Sequence, residues 1–323
     1  MTQLHLGLNL STKRTRKREF LDEMRRVVPW TRLIELIEPH YPKGKTGRPP
    51  FPVATMLHIH FIQQWFSLSD PAMEEALYDV PLYREFAGLD GAMTRLPDET
   101  TILRFRHLLE AHGIAAQILA VVNEILSDKG LMLKAGSAVD ATLIAAPSST
   151  KNGSGTRDPE MQSTQKGRNW YFGMKAHVGV DAESGLVHTV IGTAANVHDI
   201  NVAPALLHGE ETDVYADAGY QGIEKREQAG STRWHVAMRP SKRRKLNLND
   251  PVDAIYDEIE RLKAGIRAKV EHPFRILKRQ FGYVKTRYRG LAKNTAQITT
   301  LFALGNLWMM RKVLHKSSRG RTQ

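Results

Sequence analysis

The feature that most restricts how this chain can fold is a change of hydrophobic period near residue 131. Phe172, Met174, Ala176, Val178 and Val180 alternate with other residues, among them Lys175 and His177. A period of two puts apolar side chains on one face of an extended strand, so WYFGMKAHVGVD predicts a half-buried strand. Ser184-Gly185 makes a turn, and LVHTVIGTAA returns as its antiparallel partner. SAVDATLIAA, upstream, and TDVYADAGY and TRWHVAMRP, downstream, read as further strands. The polar stretch 147–169, rich in Ser, Thr, Gly and Asn, reads as a loop. A helix is expected from Asp199 as N-cap. Another starts at Asn249 or Asp250, with Pro251 in its first turn and Val252, Ile255, Ile259, Leu262 and Ile266 spaced 3, 4, 3, 4. The order strand, strand, strand, helix, strand, helix, strand, helix implies an α/β (α+β) architecture, a mixed sheet with helices packed on it.

Before residue 131 the pattern is helical. Pro49-Pro50-Phe51-Pro52 ends a loop and an apolar run follows from Val53 to Trp65. Ser69-Asp70-Pro71 and Pro97-Asp98-Glu99 are helix starts. In TILRFRHLLE, Leu103, Phe105 and Leu109 point to a core, leaving Arg104, Arg106 and His107 outside. Short helices with a basic last member suit a helix-turn-helix-like DNA reader; a plain bundle with a solvated basic face suits the pattern equally. Four parts result: a basic arm at 1–20 with the cluster Lys13-Arg14-Thr15-Arg16-Lys17-Arg18, a helical domain at 21–130, a strand-rich domain at 131–290, and a helix with a basic tail (Lys316, Arg319, Arg321) at 291–323.

Charge then points to a partner. Forty-six Lys and Arg against 34 Asp and Glu give a net charge of +12, which favours a polyanion, nucleic acid above all. With no cysteine, disulfides, zinc-thiolate sites and thiol nucleophiles are excluded. The N-terminus lacks the apolar core of a signal peptide, and the apolar runs Ile114 to Leu126 and Ile298 to Met310 are too short to span a bilayer. A soluble, cytoplasmic protein is expected. There is no GxxxxGK loop, so no ATP use is expected.

Three carboxylates are candidates for chemistry. Asp140 lies inside an apolar strand, where burial is costly unless the group is paired or metal-bound. Asp217 stands at a strand end before Gly219, where a turn or cap role is the plain alternative. From Arg261 to Gln323 there are 16 Lys and Arg, and Glu271 is the one acid. An ion pair with Arg267, four residues earlier, is its plain alternative. Pro273 predicts a kink or break just after Glu271. Three oxygen ligands from separate elements suit one or two Mg2+ ions, and two such ions can run an in-line phosphoryl displacement. Weaker candidates are His198 and Asp199, Trp170 and Tyr171 as base-stacking groups, and His177.

The blocks GRPPFPVATMLHIHFIQQWFSLSD, KNGSGTRDPEMQSTQKGRNWYFGMKAHVGVD, TAANVHD, YADAGYQG and VEHPFRILKRQFGYVKTRYRGLAKN span nearly the whole chain. Together they resemble bacterial insertion-sequence DDE transposases of the IS-five group, which have a ribonuclease H-like catalytic domain. The resemblance implies that an all-helical DNA-binding domain precedes that catalytic domain. Asp140 matches the family's first Asp, Asp217 its second and Glu271 its Glu. The family signature of Tyr, two residues, Arg, three residues, Glu, six residues, Lys is met by Arg267, Glu271 and Lys278, with Ala264 in the Tyr position. The resemblance implies two Mg2+ ions on Asp140, Asp217 and Glu271, with Mn2+ as a substitute, and cleavage and joining of double-stranded DNA at terminal inverted repeats and a target. Arg267 is expected to orient Glu271, and Lys278 to contact a phosphate. Backbone contacts are expected from Lys13, Arg14, Arg16, Lys17, Arg104, Arg106, Lys242, Arg243, Arg244 (beside Lys245), Lys285, Arg287 and Arg289. A homodimer or larger synaptic assembly, nucleoid-associated and independent of membrane, is implied. The rivals are a ribonuclease H-like nuclease without strand transfer and a catalytically inactive DNA-binding regulator.

Overall fold

The computed structural model describes residues 14–44, 47–89, 95–133, 135–226 and 232–319; Lys13 and Arg321 lie outside them. The first half is helical: α1 (Arg16–Val27), α2 (Trp30–Ile37), α3 (Val53–Phe66), α4 (Asp70–Asp79), α5 (Pro81–Ala87), α6 (Glu99–Ala111) and α7 (Ile114–Asp128). Side-chain caps fix several starts. Ser69 accepts from the Ala72 N–H, and Asp98 from the Thr101 N–H at 2.7 Å. Helix α3 is apolar almost all round because it runs through the middle of this half, with Met56, Leu57, Ile59, Phe61, Ile62 and Trp65 buried.

Two expectations fail here. The basic cluster does not stay an arm: Thr15 caps α1 and residues 16–18 form its first turn. Arg18 makes a two-pronged bond to Glu85 at 2.7 Å, Arg14 pairs with Asp22, and Lys17 lies over the Phe66 and Tyr83 rings. Arg106 does not face solvent. It is buried, bonded to Asp70 (2.9 Å) and Glu110 (2.8 Å) and stacked on Tyr288. Its helix turns Ile102, Phe105 and Leu109 inward, and Arg106, adjacent to that stripe, finds carboxylates instead of water. Arg104 stays exposed, in a cleft of about 380 Å³ shared with Arg48 and Arg95.

The second half is a six-stranded mixed sheet: β1 (Gly136–Ala145), β2 (Gln162–Lys166), β3 (Asn169–Asp181), β4 (Val187–Ala194), β5 (Asp213–Ala216) and β6 (Arg233–Val236). Its order is β2-β3-β1-β5-β6, with β4 also on β3. Strands β1, β3 and β4 form the antiparallel meander, while β5 and β6 lie parallel to β1. The alternating face of β3 is buried: Met174, Ala176, Val178 and Val180 have no exposed surface. Strand β2 falls in the stretch expected to be loop. It pairs with residues 169–173 of β3, where Trp170 is 70% exposed, and a strand wet on both faces has no apolar period to reveal it. The helices expected after β4 and β5 shrink to single 3₁₀ turns, Asp199–Asn201 and Ala203–Leu206, then Ala218–Tyr220 and Ile223–Lys225. Asp199 is no cap; its carboxylate meets Lys175 Nζ at 2.9 Å.

The C-terminal elements are α8 (Pro240–Arg243), α9 (Pro251–Arg267), α10 (Glu271–Arg275) and α11 (Leu291–Arg319). Asp250 caps α9 by accepting from the N–H groups of Val252 (2.8 Å) and Asp253 (3.1 Å). Helix α9 does not bury its apolar stripe: Val252, Ile255, Ile259 and Leu262 are 41–60% exposed. Its inward side carries Glu260 instead, which accepts from the Met238 N–H and Lys263, both at 2.8 Å. Pro273 disturbs the backbone on both sides of Glu271. A 3₁₀ turn (Ala268–Val270) precedes α10 and a π turn (Ile276–Gln280) follows it. The break therefore begins before Glu271, as the ring of Pro273 crowds the carbonyl four residues back.

Helix α11 is a core element. Ile298, Leu301, Phe302, Leu304 and Leu307 are buried between α7, β4 and α1. Asn306 bonds both the N–H (2.9 Å) and C=O (2.7 Å) of Val187, satisfying β4 from the side, and reaches Asn123 on α7 at 3.0 Å. One apolar core thus runs from Phe20 to Leu314 through both halves. A smaller core (Val139, Val202, Leu206, Val214, Ala216, Tyr220) covers the other face of the sheet. Among the described residues no single helix is long and apolar enough to cross a membrane.

Candidate active site

Parallel pairing brings the two aspartates together. Val139 lies beside Ala216, so Asp140 and Asp217, the next residues, stand side by side where β5 ends. The preceding pair, Ala138 and Tyr215, sets the face on which they emerge, the one that packs on the larger core. Asp140 Oδ1 accepts from the Ala141 N–H at 2.7 Å and Asp217 Oδ1 from the Gly219 N–H at 2.8 Å, which leaves each Oδ2 for other partners. A Cβ on Gly219 would lie 2.9 Å from Asp217 Oδ1, so a larger residue there would push this carboxylate aside.

Glu271 comes to the same place from above. Val270, Phe274 and Leu277 anchor its segment in the core, which holds the intervening face of the helix over β1. Lys269 Nζ adds a bond to the Ala182 carbonyl at 2.8 Å. Burial pushes the Asp140 carboxyl up to about 6, and the charges of Asp217 and Glu271 push the same way. The Ala141 N–H and the Arg267 charge oppose them. Glu271 lines a cleft with Thr142, two residues along β1 from Asp140 and on the same face. The three carboxylates are neighbours rather than a tight knot: among the described residues, the His, Asp and Glu set whose ligand atoms all lie within 4.8 Å is His188, His208 and Glu211. Crowded carboxylates with unused oxygens are the donor set that a hard divalent cation takes.

The cations around them differ from expectation. No salt bridge within 4.0 Å joins Arg267 to Glu271 among the described residues, so the plain ion pair is not formed and Arg267 does not orient Glu271 by direct contact. Its charge acts on Asp140. Lys278 Nζ is half-buried and bonds Thr142 Oγ1 at 2.5 Å, two residues along β1 from Asp140. Burial, then the Lys166 charge, lower its pKa, and Glu271 opposes. Glu271, Lys278, Thr142, Arg275 and Arg279 line an open cleft of about 480 Å³. A second cleft, about 460 Å³, opens at Ala264 beside Arg244, Glu260 and Arg267.

Behind the sheet lies a group that the sequence only hinted at. His177 is fully buried, with Nε2 2.8 Å from Thr193 Oγ1 and Nδ1 3.6 Å from Asp199. Burial holds it neutral, down to about 4, helped by Lys175 and opposed by Asp199. The Tyr220 hydroxyl is buried within the fields of Asp199, Asp140 and Asp217. Tyr220 carried no signal of its own; the alternation that put His177 opposite the core face was the available clue.

The remaining basic residues fall into two groups. Lys242, Arg244 and Lys285 are exposed. Arg243 is held by Asp257 (2.6 Å), Arg287 by Ser67, and Arg289 by Ser154 (2.6 Å) and Thr156 (3.1 Å). Asn294, buried on α11, accepts from the Arg287 and Tyr288 N–H groups and donates to the Tyr288 and Gly290 carbonyls, fixing the basic segment 285–290. Trp170 projects from the β2–β3 hairpin into solvent.

Comparison with known proteins agrees with this architecture. The family described as Transposase DDE domain matches residues 132–307, more than half of the chain, and Transposase domain (DUF772) matches residues 8–108. No solved structure matches. With β2 set aside, the strands run third, second, first, fourth, fifth across the sheet, as in a ribonuclease H-like DDE domain. A DDE domain implies a divalent-metal requirement and DNA as partner. The chain belongs to the insertion-sequence DDE transposases, enzymes that cut DNA and transfer its strands.

Proposed function

We propose that the chain, a member of the IS-five group, binds the terminal inverted repeats of its element and performs Mg2+-dependent cleavage and strand transfer with Asp140, Asp217 and Glu271 as the metal ligands. The observation that carries this reading is the parallel pairing of β1 with β5, which sets Asp140 and Asp217 side by side, with Glu271 lining a cleft against Thr142 on the same face of β1. Their free oxygens would hold two Mg2+ ions, with Mn2+ as a substitute. When bound, such ions stabilise charge on the scissile phosphate and supply a nucleophile at neutral pH. The Asp217 turn and the Ala141 N–H fix two carboxylates before metal arrives, so little reorganisation is left to binding. Arg267 lowers the cost of bringing the acids together. Lys278, tied to Thr142, presents its charge to a phosphate in the Glu271 cleft.

DNA would lie along the basic surfaces. Lys285, Arg287 and Arg289 on their braced segment, Lys242, Arg243 and Arg244 near the Ala264 cleft, Arg104 in the helical half, and Arg14, Arg16 and Lys17 at the chain start would position backbone without specifying sequence. Arg106, being buried, is left out. Trp170 and Tyr171, at the exposed hairpin, suit stacking on an unpaired base. Two element ends must be held at once, so an assembly of two or more copies belongs to the reading, and the exposed stripe of α9 offers it an apolar face. The reading places the protein at the nucleoid, with no membrane or ATP in its cycle.

The test is an assay with Mg2+ and DNA carrying the ends that flank this gene, comparing wild type with Glu271→Gln. Joined products from wild type and none from the variant, with end binding retained, are expected. Cleavage without joining would favour the nuclease rival. Binding without cleavage would favour the inactive regulator.

A further inference from the structure

A second group of metal-ligating side chains sits at the other end of the strands that carry the aspartates. His188 on β4, and His208 and Glu211 on the segment leading into β5, each offer a ligand atom, and these atoms all lie within 4.8 Å of one another. Glu211 is almost wholly buried at the side chain. Its carboxylate is aimed by backbone N–H groups, His208 onto Oε1 and Gly209 onto Oε2, both at 2.7 Å. His208 Nε2 is 3.2 Å from Oε1 and has no hydrogen-bond partner, while its Nδ1 is 3.3 Å from the Glu210 N–H. The two rings meet edge to face with centroids 4.8 Å apart. Ser137 Oγ, on β1, lies 2.9 Å from His188 Nε2 and 3.0 Å from Glu211 Oε1. Thr189 Oγ1 holds the far nitrogen of His188 at 2.9 Å, the kind of outer contact that orients a metal-bound imidazole.

We propose that His188, His208 and Glu211 form a structural site for a borderline divalent cation of the zinc class, separate from the catalytic carboxylates. The donor types decide the ion. Two imidazoles and one carboxylate match the ligand preferences of Zn2+, whereas Mg2+ takes oxygen ligands and keeps much of its water. Three protein ligands leave a fourth position for water or the Ser137 hydroxyl. The Glu210 N–H contact to His208 Nδ1 is long, and a bound ion on Nε2 would require that nitrogen to carry the proton instead. The site would clip the segment before β5 to β4 and β1, anchoring at one end the strand that delivers Asp217 at the other. Without an ion Ser137 links His188 Nε2 to Glu211 Oε1 while His208 Nε2 stays unpartnered, and experiment separates the two states.

The full chain, without an oligohistidine tag, is stripped with chelator, desalted and titrated with Zn2+ alone while bound metal and the thermal midpoint are followed. About one Zn2+ per chain is expected in wild type and in Glu271→Gln, with a rise in midpoint on binding. His208→Gln should weaken zinc by more than about 100-fold, since losing an outer contact alone costs 10–100-fold. If His208→Gln fails to fold, X-ray absorption at the zinc edge of the wild type decides, and imidazole scattering is the expected result. No zinc uptake by wild type at tens of micromolar, uptake that disappears in Glu271→Gln, undiminished uptake by folded His208→Gln, or an all-oxygen zinc environment would each overturn the proposal. The readouts use neither DNA nor activity, so they stand apart from the transposase reading.

Discussion

Strand β5 has Glu211 just before it and Asp217 just after it, the latter beside Asp140 of β1, and the two ends treat their acids in opposite ways. At one end Glu211 is buried, which alone would raise its pKa, yet the N–H groups of His208, Glu211 and Gly209 win and hold it below the usual carboxylate range. At the other end Asp140 accepts only one N–H, so burial, with the Asp217 and Glu271 charges adding to it, pushes it up to about 6. The same sheet thus provides a satisfied carboxylate that locks the strands and a crowded one that stores electrostatic cost. A carboxylate left so poorly compensated gains from a bound cation.

Three substitutions probe this contrast, all in chelator so that stability is read without metal. The largest effect falls at the satisfied end. Glu211→Ala orphans two backbone N–H groups and the Ser137 hydroxyl, and should cost about 3 kcal/mol in chemical denaturation. A loss below about 1 kcal/mol would break the comparison. Next comes Asp140→Asn, which should stabilise by about 1–3 kcal/mol at pH 7.5, each pK unit being worth about 1.4 kcal/mol. The sign follows from linkage: the folded pKa, about 6, lies above the ordinary 3.8, so the penalty is complete above pH 6 and fades as pH falls toward 4. The gain from Asp140→Asn should fade over the same window. His58, His60 and His177 run the other way: each is pushed down to about 4, chiefly by burial, so their stability is complete above pH 6.5 and lost as pH falls toward 4. Comparing variant with wild type at each pH cancels them. The smallest effect is Glu271→Gln, which should shift stability by less than about 0.5 kcal/mol because Glu271 is exposed and forms no salt bridge among the described residues. A large loss there would mean that the glutamate is structural.

The sequence disclosed the parts of this molecule that repeat and missed those that are irregular. The β3 alternation and the caps at Ser69, Asp98 and Asp250 were legible because period and capping chemistry are local. Strand β2 was not, since a strand exposed on both faces has no period. The turns at 199–206 looked helical by composition, yet Asp199 spends its carboxylate on Lys175 and not on a helix start. Arg106 failed for a related reason: a charge next to an apolar stripe reads as solvent-facing, and only the fold supplies Asp70 and Glu110. For the site, Asp140 and Glu271 stood out by contrast with their surroundings, an acid among apolar residues and an acid among cations. The cluster of His188, His208 and Glu211 joins segments with no such contrast, and β4, β1 and the approach to β5 meet only in three dimensions.

The central claim, that the crowded carboxylates are metal ligands, is tested most directly by exchanging one oxygen donor for sulfur. The chain has no cysteine, so Glu271→Cys introduces a single thiol. Thiolate is a poor ligand for Mg2+ and a better one for softer ions. The account predicts that this variant loses cleavage and joining in Mg2+ and regains a measurable part in Mn2+. Activity equal to wild type in Mg2+, or no recovery in Mn2+ by a folded variant that still binds the element ends, would contradict it.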